Sequence, residues 1–266
     1  MSNRIKSKAL KKLIEAFNQQ LILILEENYF GLYIYNSVAR EEFDRKASDI
    51  NFLVITHRAV TQNEKIGLRK MHRKLVAQFT LGKKLDGIYI NRALIGKVND
   101  DASPYPYVIE GRLEPDGYYD LNVVTWWSLK QEGLNIASPD IKKYLIDLQW
   151  EDVHQALFNT MTQYWDHKIK DERLFLEDEW VEFSVFAISR IVCSLKDGKI
   201  VSKGDAYDAV SLLFPQWQDV LKEAMRLRER DRNGVFDSLV VRKNQTVLFL
   251  KALLDYGYQF KNINRI

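Results

Sequence analysis

The chain has 266 residues, enough for one large domain or two ordinary ones. With 46% hydrophobic and 28% charged side chains it is not an intrinsically disordered sequence, and 39 basic against 36 acidic residues (net +3) is too even a balance to argue for nucleic acid. A single cysteine, Cys193, excludes an internal disulfide and a cysteine-based zinc cage; its apolar setting, Ile191-Val192-Cys193, reads as a buried structural thiol.

In chain order, Met1 to Lys6 has a basic start with no cleavable apolar core behind it. Leu13, Phe17, Leu21 and Leu25 recur at helical spacing from Ala9 to Glu27. Gly31 to Tyr35 is an aromatic and branched run, hence a strand, and a polar stretch follows from Asn36 to Asp49. Phe52-Leu53-Val54-Ile55 is apolar throughout, as expected of a strand buried on both faces. Thr61 to Phe79 predicts a helix with Ile66, Leu68, Met71, Leu75 and Phe79 on its apolar side, and Leu85 to Ile90 predicts a third strand. Asp101 to Tyr107 is rich in turn residues, and Thr125 to Gln131 predicts a helix closing at Gly133. From about Pro139 the pattern is helical: Lys142 to Trp165, Glu179 to Leu195, Lys203 to Phe214, Trp217 to Arg228 and Ser238 to Phe260. The expected fold class is α+β, with a mixed-sheet domain over residues 1–140 and an all-α bundle over 141–266. No apolar run reaches membrane-spanning length, so a cytoplasmic monomer with no membrane or nucleic-acid partner is expected. His57, His72, His154 and His167 are scattered without metal spacing or a partnering serine, and are read as non-catalytic.

The chemistry-bearing residues lie between Tyr35 and Ile90. Ser37 directly follows a strand, Ser48-Asp49-Ile50-Asn51 opens the next, and Asp86 begins a third. Alternation on a strand puts Asp49 and Asn51 on one face, and a neighbouring strand can bring Asp86 beside them. Phosphoryl transfer uses such a cluster, because carboxylates hold Mg²⁺ and the metal neutralises charge on a triphosphate. A serine in the preceding loop can donate to the phosphates.

These motifs resemble polymerase-β-type nucleotidyltransferases, which carry Gly-Ser after a strand, then Asp-x-Asp, then a third acid on a later strand. The chain resembles a diverged member of their antibiotic-modifying branch, the streptomycin/spectinomycin adenylyltransferases. Tyr35-Asn36-Ser37-Val38-Ala39 stands at the Gly-Ser position, Ser48-Asp49-Ile50-Asn51 at the Ser-Asp-Ile-Asp position, and Leu85-Asp86-Gly87-Ile88-Tyr89-Ile90 at the third-acid strand. Leu121-Asn122-Val123-Val124-Thr125-Trp126-Trp127 resembles the family's Asn-Pro-Val-Thr-Trp segment. Ser189-Arg190-Ile191 with Gly198-Lys199-Ile200-Val201-Ser202-Lys203 resembles its C-terminal signature.

The resemblance implies AMP transfer from ATP to a hydroxyl of a cationic, aminoglycoside-like acceptor, in a cleft between the two domains. It implies Asp49, Asn51 and Asp86 as the Mg²⁺ ligands, Asp86 as the base, and Ser37, Lys203 and Arg228 as the nucleotide-binding residues. The acceptor's amines would meet Asp178, Glu179 and Glu182, although acids also suit a helix's first turn. Three departures stand out. Asn36 replaces the loop glycine, Glu41 falls near a second glycine, and Asn51 replaces the second metal-binding aspartate with a neutral amide. Ala137-Ser138 stands where relatives often carry Gly-Pro. A catalytically impaired homologue that still binds a nucleotide or small molecule is the second expectation.

Overall fold

The computed structural model describes residues 4–262, so part of the Met1 to Lys6 reading lies outside the described residues. The chain divides into two compact units, Met1–Leu148 and Gln149–Ile266.

The first unit is a six-stranded mixed sheet between two helical layers. Helix α1 (Lys8–Leu25) starts where the Ser7 hydroxyl accepts from the Leu10 N–H. The strands are β1 (Tyr29–Tyr35), β2 (Ile50–Thr56), β3 (Leu85–Asn91), β4 (Tyr107–Ile109), β5 (Arg112–Leu113) and β6 (Leu134–Ile136). Their order across the sheet is β5-β4-β3-β2-β1-β6. Only β2 and β3 run parallel, because helix α2 (Gln62–Gln78) carries the chain back between them; the other pairs are antiparallel. A capping box, Thr61 with Glu64, begins α2.

Alternation sorts the strand side chains into two cores. Leu32, Ile34, Phe52, Val54 and Tyr89 pack under α1 and α2. Tyr33, Tyr35, Leu53, Ile55, Ile88 and Ile90 pack on the opposite face against Trp126 and Leu129 of helix α3 (Val123–Glu132) and against Ile141 and Leu145. Asn51 and Asp86 have the parity of this second face and lie at its polar end, where β2 and β3 begin.

The second unit is helical. Helix α4 (Trp150–Asn159) passes through a π-helical stretch, Thr160–Trp165, into the short α5 (Asp166–Lys168). Helix α6 (Asp178–Asp197), buried over most of its length, packs against α7 (Lys203–Leu213), α8 (Gln218–Glu229) and α9 (Leu239–Tyr258). Gly198 ends α6 in the left-handed region, as a helix C-terminus favours. Gly257 lets α9 approach Met161 of the π-helical stretch closely, since a Cβ there would overlap the thioether sulfur.

Several expectations need correction. Ile66 is 49% exposed, and His72 takes its place on the buried side of α2. The helix expected from Lys142 begins at Trp150; Ile141–Tyr144 is a single 3-10 turn capped by the Asp140 carboxylate, and Ile141 and Leu145 are drawn into the core of the first unit. Strands β4, β5 and β6, of two or three residues each, were not expected. Cys193 is buried, and burial pushes its thiol up to about 11, as befits an inert core residue. No helix among the described residues is long and apolar enough to cross a membrane.

Candidate functional site

In the first unit, Asn51 sits between two register partners: Tyr35 at the end of β1 and Asp86 on β3. Asp49 immediately precedes β2, so Asp49, Asn51 and Asp86 gather at one end of the sheet. The chain leaves Tyr35 through a 3-10 turn, Asn36–Val38, which returns it over β2. Asn36 adopts a left-handed backbone (φ 58°), and its Nδ2 donates to Asn51 Oδ1 at 3.2 Å. The Ser37 hydroxyl donates to the Asp49 carbonyl at 3.4 Å, and Lys84 Nζ stands 3.8 Å from Asp49 Oδ1.

Asp86 is half-buried and held by two donors. The Glu110 N–H donates to Oδ1 at 2.7 Å, and the Tyr119 hydroxyl to Oδ2 at 3.4 Å. Glu110 and Gly111 have φ 49° and 71°, the positive pair that a tight hairpin turn between β4 and β5 requires. Burial pushes the Asp86 carboxyl up to about 6; the charge of Asp49 raises it further while the two donors hold it down. A second acid lies close by. Tyr35 donates to Asp120 Oδ2 at 3.0 Å, and Asn122 Nδ2 donates to Oδ1 at 2.9 Å. Burial, with Asp120 next, raises the Tyr35 phenol well above its ordinary range, so it remains a donor. Sequence reasoning missed Tyr119, Asp120, Lys84 and the Glu110 amide. The one local signal was the polar pair Asp120 and Asn122 ahead of α3, where Asn122 caps the helix.

Among the described residues no group of three or more His, Cys, Asp or Glu converges as a metal cage. Asp49 and Asp86 remain. Mg²⁺ bound with substrate phosphates and water uses one or two protein carboxylates. Burial is the largest cause of the raised Asp86 carboxyl and the charge of Asp49 adds to it, a repulsion that a divalent cation would relieve. The donor chemistry of the two carboxylates suits one Mg²⁺ ion.

Asn36, Glu41 and Ala137, each standing at or near a position where glycine was expected, all have positive φ: 58°, 64° and 50°. Glycine reaches that region freely, whereas a Cβ resists it. Glu41 pairs with Lys6 on the surface. Ser138, next to Ala137, donates to the Ile136 carbonyl and accepts from the Leu32 N–H at 2.8 Å, tying β6 to β1.

In the second unit, Lys203 begins α7 and Arg228 lies in the last turn of α8. Both reach Glu182 Oε1 on α6, at 3.4 and 3.3 Å, and both stand over the buried Phe186 ring, at 5.6 and 5.5 Å. Burial lowers the Lys203 ammonium, Glu182 works against that, and Arg228 and Arg190 add to it. The three acids at the start of α6 do not act as a set. Asp178 is bound by Arg242 at 2.6 Å, Glu182 by Lys203 and Arg228, and Glu179 is exposed. Arg242 is itself buried, 3.3 Å from the buried Glu223, which Arg226 also grips at 2.8 Å; this charged core joins α8 and α9.

No protein-family model matches the chain, and no curated protein matches it by sequence. Among solved structures, the spectinomycin adenyltransferase AAD(9) from Enterococcus faecialis, in complex with ATP and spectinomycin, superposes with a TM-score of 0.64. The match covers 92% of this chain and 99% of that one at 18% identity. A STING-associated c-di-GMP synthase, CdnE, from Capnocytophaga granulosa overlaps 95% of this chain and 80% of its own at 16% identity, with a TM-score of 0.30, too low to bear on the fold. The chain thus has the polymerase-β-like nucleotidyltransferase fold, a mixed six-stranded sheet followed by a helical bundle.

Proposed function

We propose that a chain with this nucleotidyltransferase fold is an adenylyltransferase, passing AMP from ATP to a hydroxyl of a cationic, aminoglycoside-like acceptor. The observation that carries the reading is Asp86. It is a half-buried carboxyl level in the sheet with Asn51, with Asp49 just ahead of the neighbouring strand. A carboxylate held at that point can take the proton of an attacking hydroxyl. As the acceptor oxygen bonds to the α-phosphorus, the bond to pyrophosphate breaks and the hydroxyl proton passes to the Asp86 carboxylate. Glu110 and Tyr119 keep that carboxylate oriented.

Asp49 and Asp86 would hold Mg²⁺, which supplies charge neutralisation on the phosphates. Ser37 orients a phosphate oxygen. In the helical unit, Lys203 and Arg228 give the positive charge that a triphosphate needs. Asp178, Glu179 and Glu182 are the acids proposed for the acceptor's amines. Of these, Glu179 lies outside both of the ion-pair groups described above.

A second reading, nucleotide binding with little turnover, draws support from the Asn36–Asn51 amide pair, which occupies the oxygen of Asn51. Titration calorimetry of ATP with and without Mg²⁺, beside transfer of α-labelled AMP to streptomycin and spectinomycin, separates the two. Tight Mg·ATP binding with a labelled, stable product is the expected result. Binding without product selects the second reading, and no ATP binding at all sinks both.

A further inference from the structure

We propose that Asn51 is a hydrogen-bond donor to the phosphates of the nucleotide, standing where a second divalent cation would need a carboxylate, so that this chain loads one divalent ion with ATP. The inference rests on the nucleotide-binding reading above and adds to it.

A carboxamide offers a metal its oxygen alone; its nitrogen carries two hydrogens and repels a cation. In this site the oxygen is already engaged. The left-handed backbone at Asn36 sets its side chain against β2, and Asn36 Nδ2 donates to Asn51 Oδ1 at 3.2 Å. With Oδ1 turned to Asn36, the planar amide directs the Asn51 Nδ2 hydrogens away from it. No described residue accepts from them: the carboxylate beside Asn51, Asp86, takes its donors from Glu110 and Tyr119. The charge of the site agrees. Three carboxylates, Asp86, Asp120 and Asp49, all act on Tyr119, and one ammonium, Lys84, lies 3.8 Å from Asp49. One divalent ion balances the net charge of that set. An amide N–H at this position is instead a donor suited to anionic oxygens. The two asparagines therefore belong together: one supplies the donor and the other fixes which way it points.

The test counts ions and does not depend on turnover. Mn²⁺ is titrated into the full chain saturated with α,β-methylene-ATP, and bound Mn²⁺ is read by electron paramagnetic resonance. The wild type should bind one Mn²⁺ per chain and Asn51→Asp two. Asn51→Ala should still bind one, with α,β-methylene-ATP weakened about tenfold, the size of one lost hydrogen bond to a charged oxygen. Asn51→Ser, still a donor, should lose less and keeps the comparison available if the alanine variant is unfolded in a thermal melt. Two ions in the wild type, or unchanged nucleotide affinity in a folded Asn51→Ala, would overturn the inference and leave the nucleotide-binding reading standing. A wild type that binds no α,β-methylene-ATP at any Mn²⁺ concentration overturns both.

Discussion

Ala137→Gly should stabilise the first unit, and the size of the gain can be worked out from the backbone. Ala137 has φ 50° and is exposed, so removing its methyl group loses almost no packing. A left-handed backbone costs an L-residue with a Cβ about 1–2 kcal/mol. Against this, glycine gives the unfolded chain extra freedom worth about 0.5–1 kcal/mol. The net gain is about 0.5–1 kcal/mol, or about 2–4 °C per kcal/mol in melting temperature for a domain of this size. Gly96 supplies the reverse experiment. Its φ is 78°, and a Cβ there would meet nothing nearer than Leu145 Cδ2 at 4.0 Å. Gly96→Ala therefore carries the same backbone cost without a clash, and should destabilise by about 0.5–1 kcal/mol. Urea melts of both variants, followed by tryptophan fluorescence, check the pair. If Gly96→Ala loses stability as expected while Ala137→Gly is neutral or worse, the left-handed backbone at position 137 carries no strain and the reasoning fails there.

Three further outcomes follow from the ionisable groups. The Asp86 carboxyl is raised to about 6, so the stability it contributes is complete below its ordinary value of 3.8 and is lost as pH rises through 6. Asp86→Asn should remove that loss and gain about 1–2 kcal/mol at pH 8 relative to pH 4, after discounting for solvent on the partly exposed group; equal pH slopes for wild type and variant would refute it. His72 is buried against Tyr89 at 2.6 Å, and burial lowers it to about 3, so its contribution is present above 6.5 and lost as pH falls towards 3. His72→Phe should reduce by about one the number of protons taken up on unfolding between pH 6 and 4, read from the pH dependence of urea melts. Lys203→Ala should weaken ATP binding about tenfold in calorimetry while the protein stays folded, since Arg228 still holds Glu182; unchanged affinity would remove Lys203 from the nucleotide-binding residues.

What the sequence revealed, and what it hid, follows from the range of the interactions. Strands β1 to β3 were visible because each is a run of apolar residues buried on both faces, and the long helices because their apolar periodicity persists over many turns. Strands β4 to β6 were not visible, because two or three residues carry no period and exist through their neighbours: Gly87 and Ile88 recruit β4, and Leu32 to Ile34 recruit β6. The stretch from Lys142 reads as the start of a helix, yet Ile141 and Leu145 are taken by the sheet's second core before a helix forms. In the candidate site, Asp49, Asn51 and Asp86 could be paired from strand alternation. Tyr119 and Asp120 could not, since they come from an irregular segment placed by the β4–β5 hairpin and the cap of α3. The split among Asp178, Glu179 and Glu182 was equally hidden, because it depends on Arg242, Lys203 and Arg228, which lie far from them in sequence.

The shortest bond to Asp86 comes from the main chain. Because the donor is the peptide N–H of Glu110, exchanging the side chain at 110 leaves it in place, and most of the twenty amino acids encode the same donor. Proline alone lacks that hydrogen, and its ring fixes φ near −65°, whereas position 110 sits at +49°. A proline there would break the turn along with the bond, and would be lost as a folding defect before it could alter the chemistry. Point mutation can therefore reach the Tyr119 hydroxyl and the repulsion from Asp49, but not this donor. A lineage drifting at this site would change the proton affinity of Asp86 through the first two and inherit the third unchanged, for as long as the hairpin keeps its length.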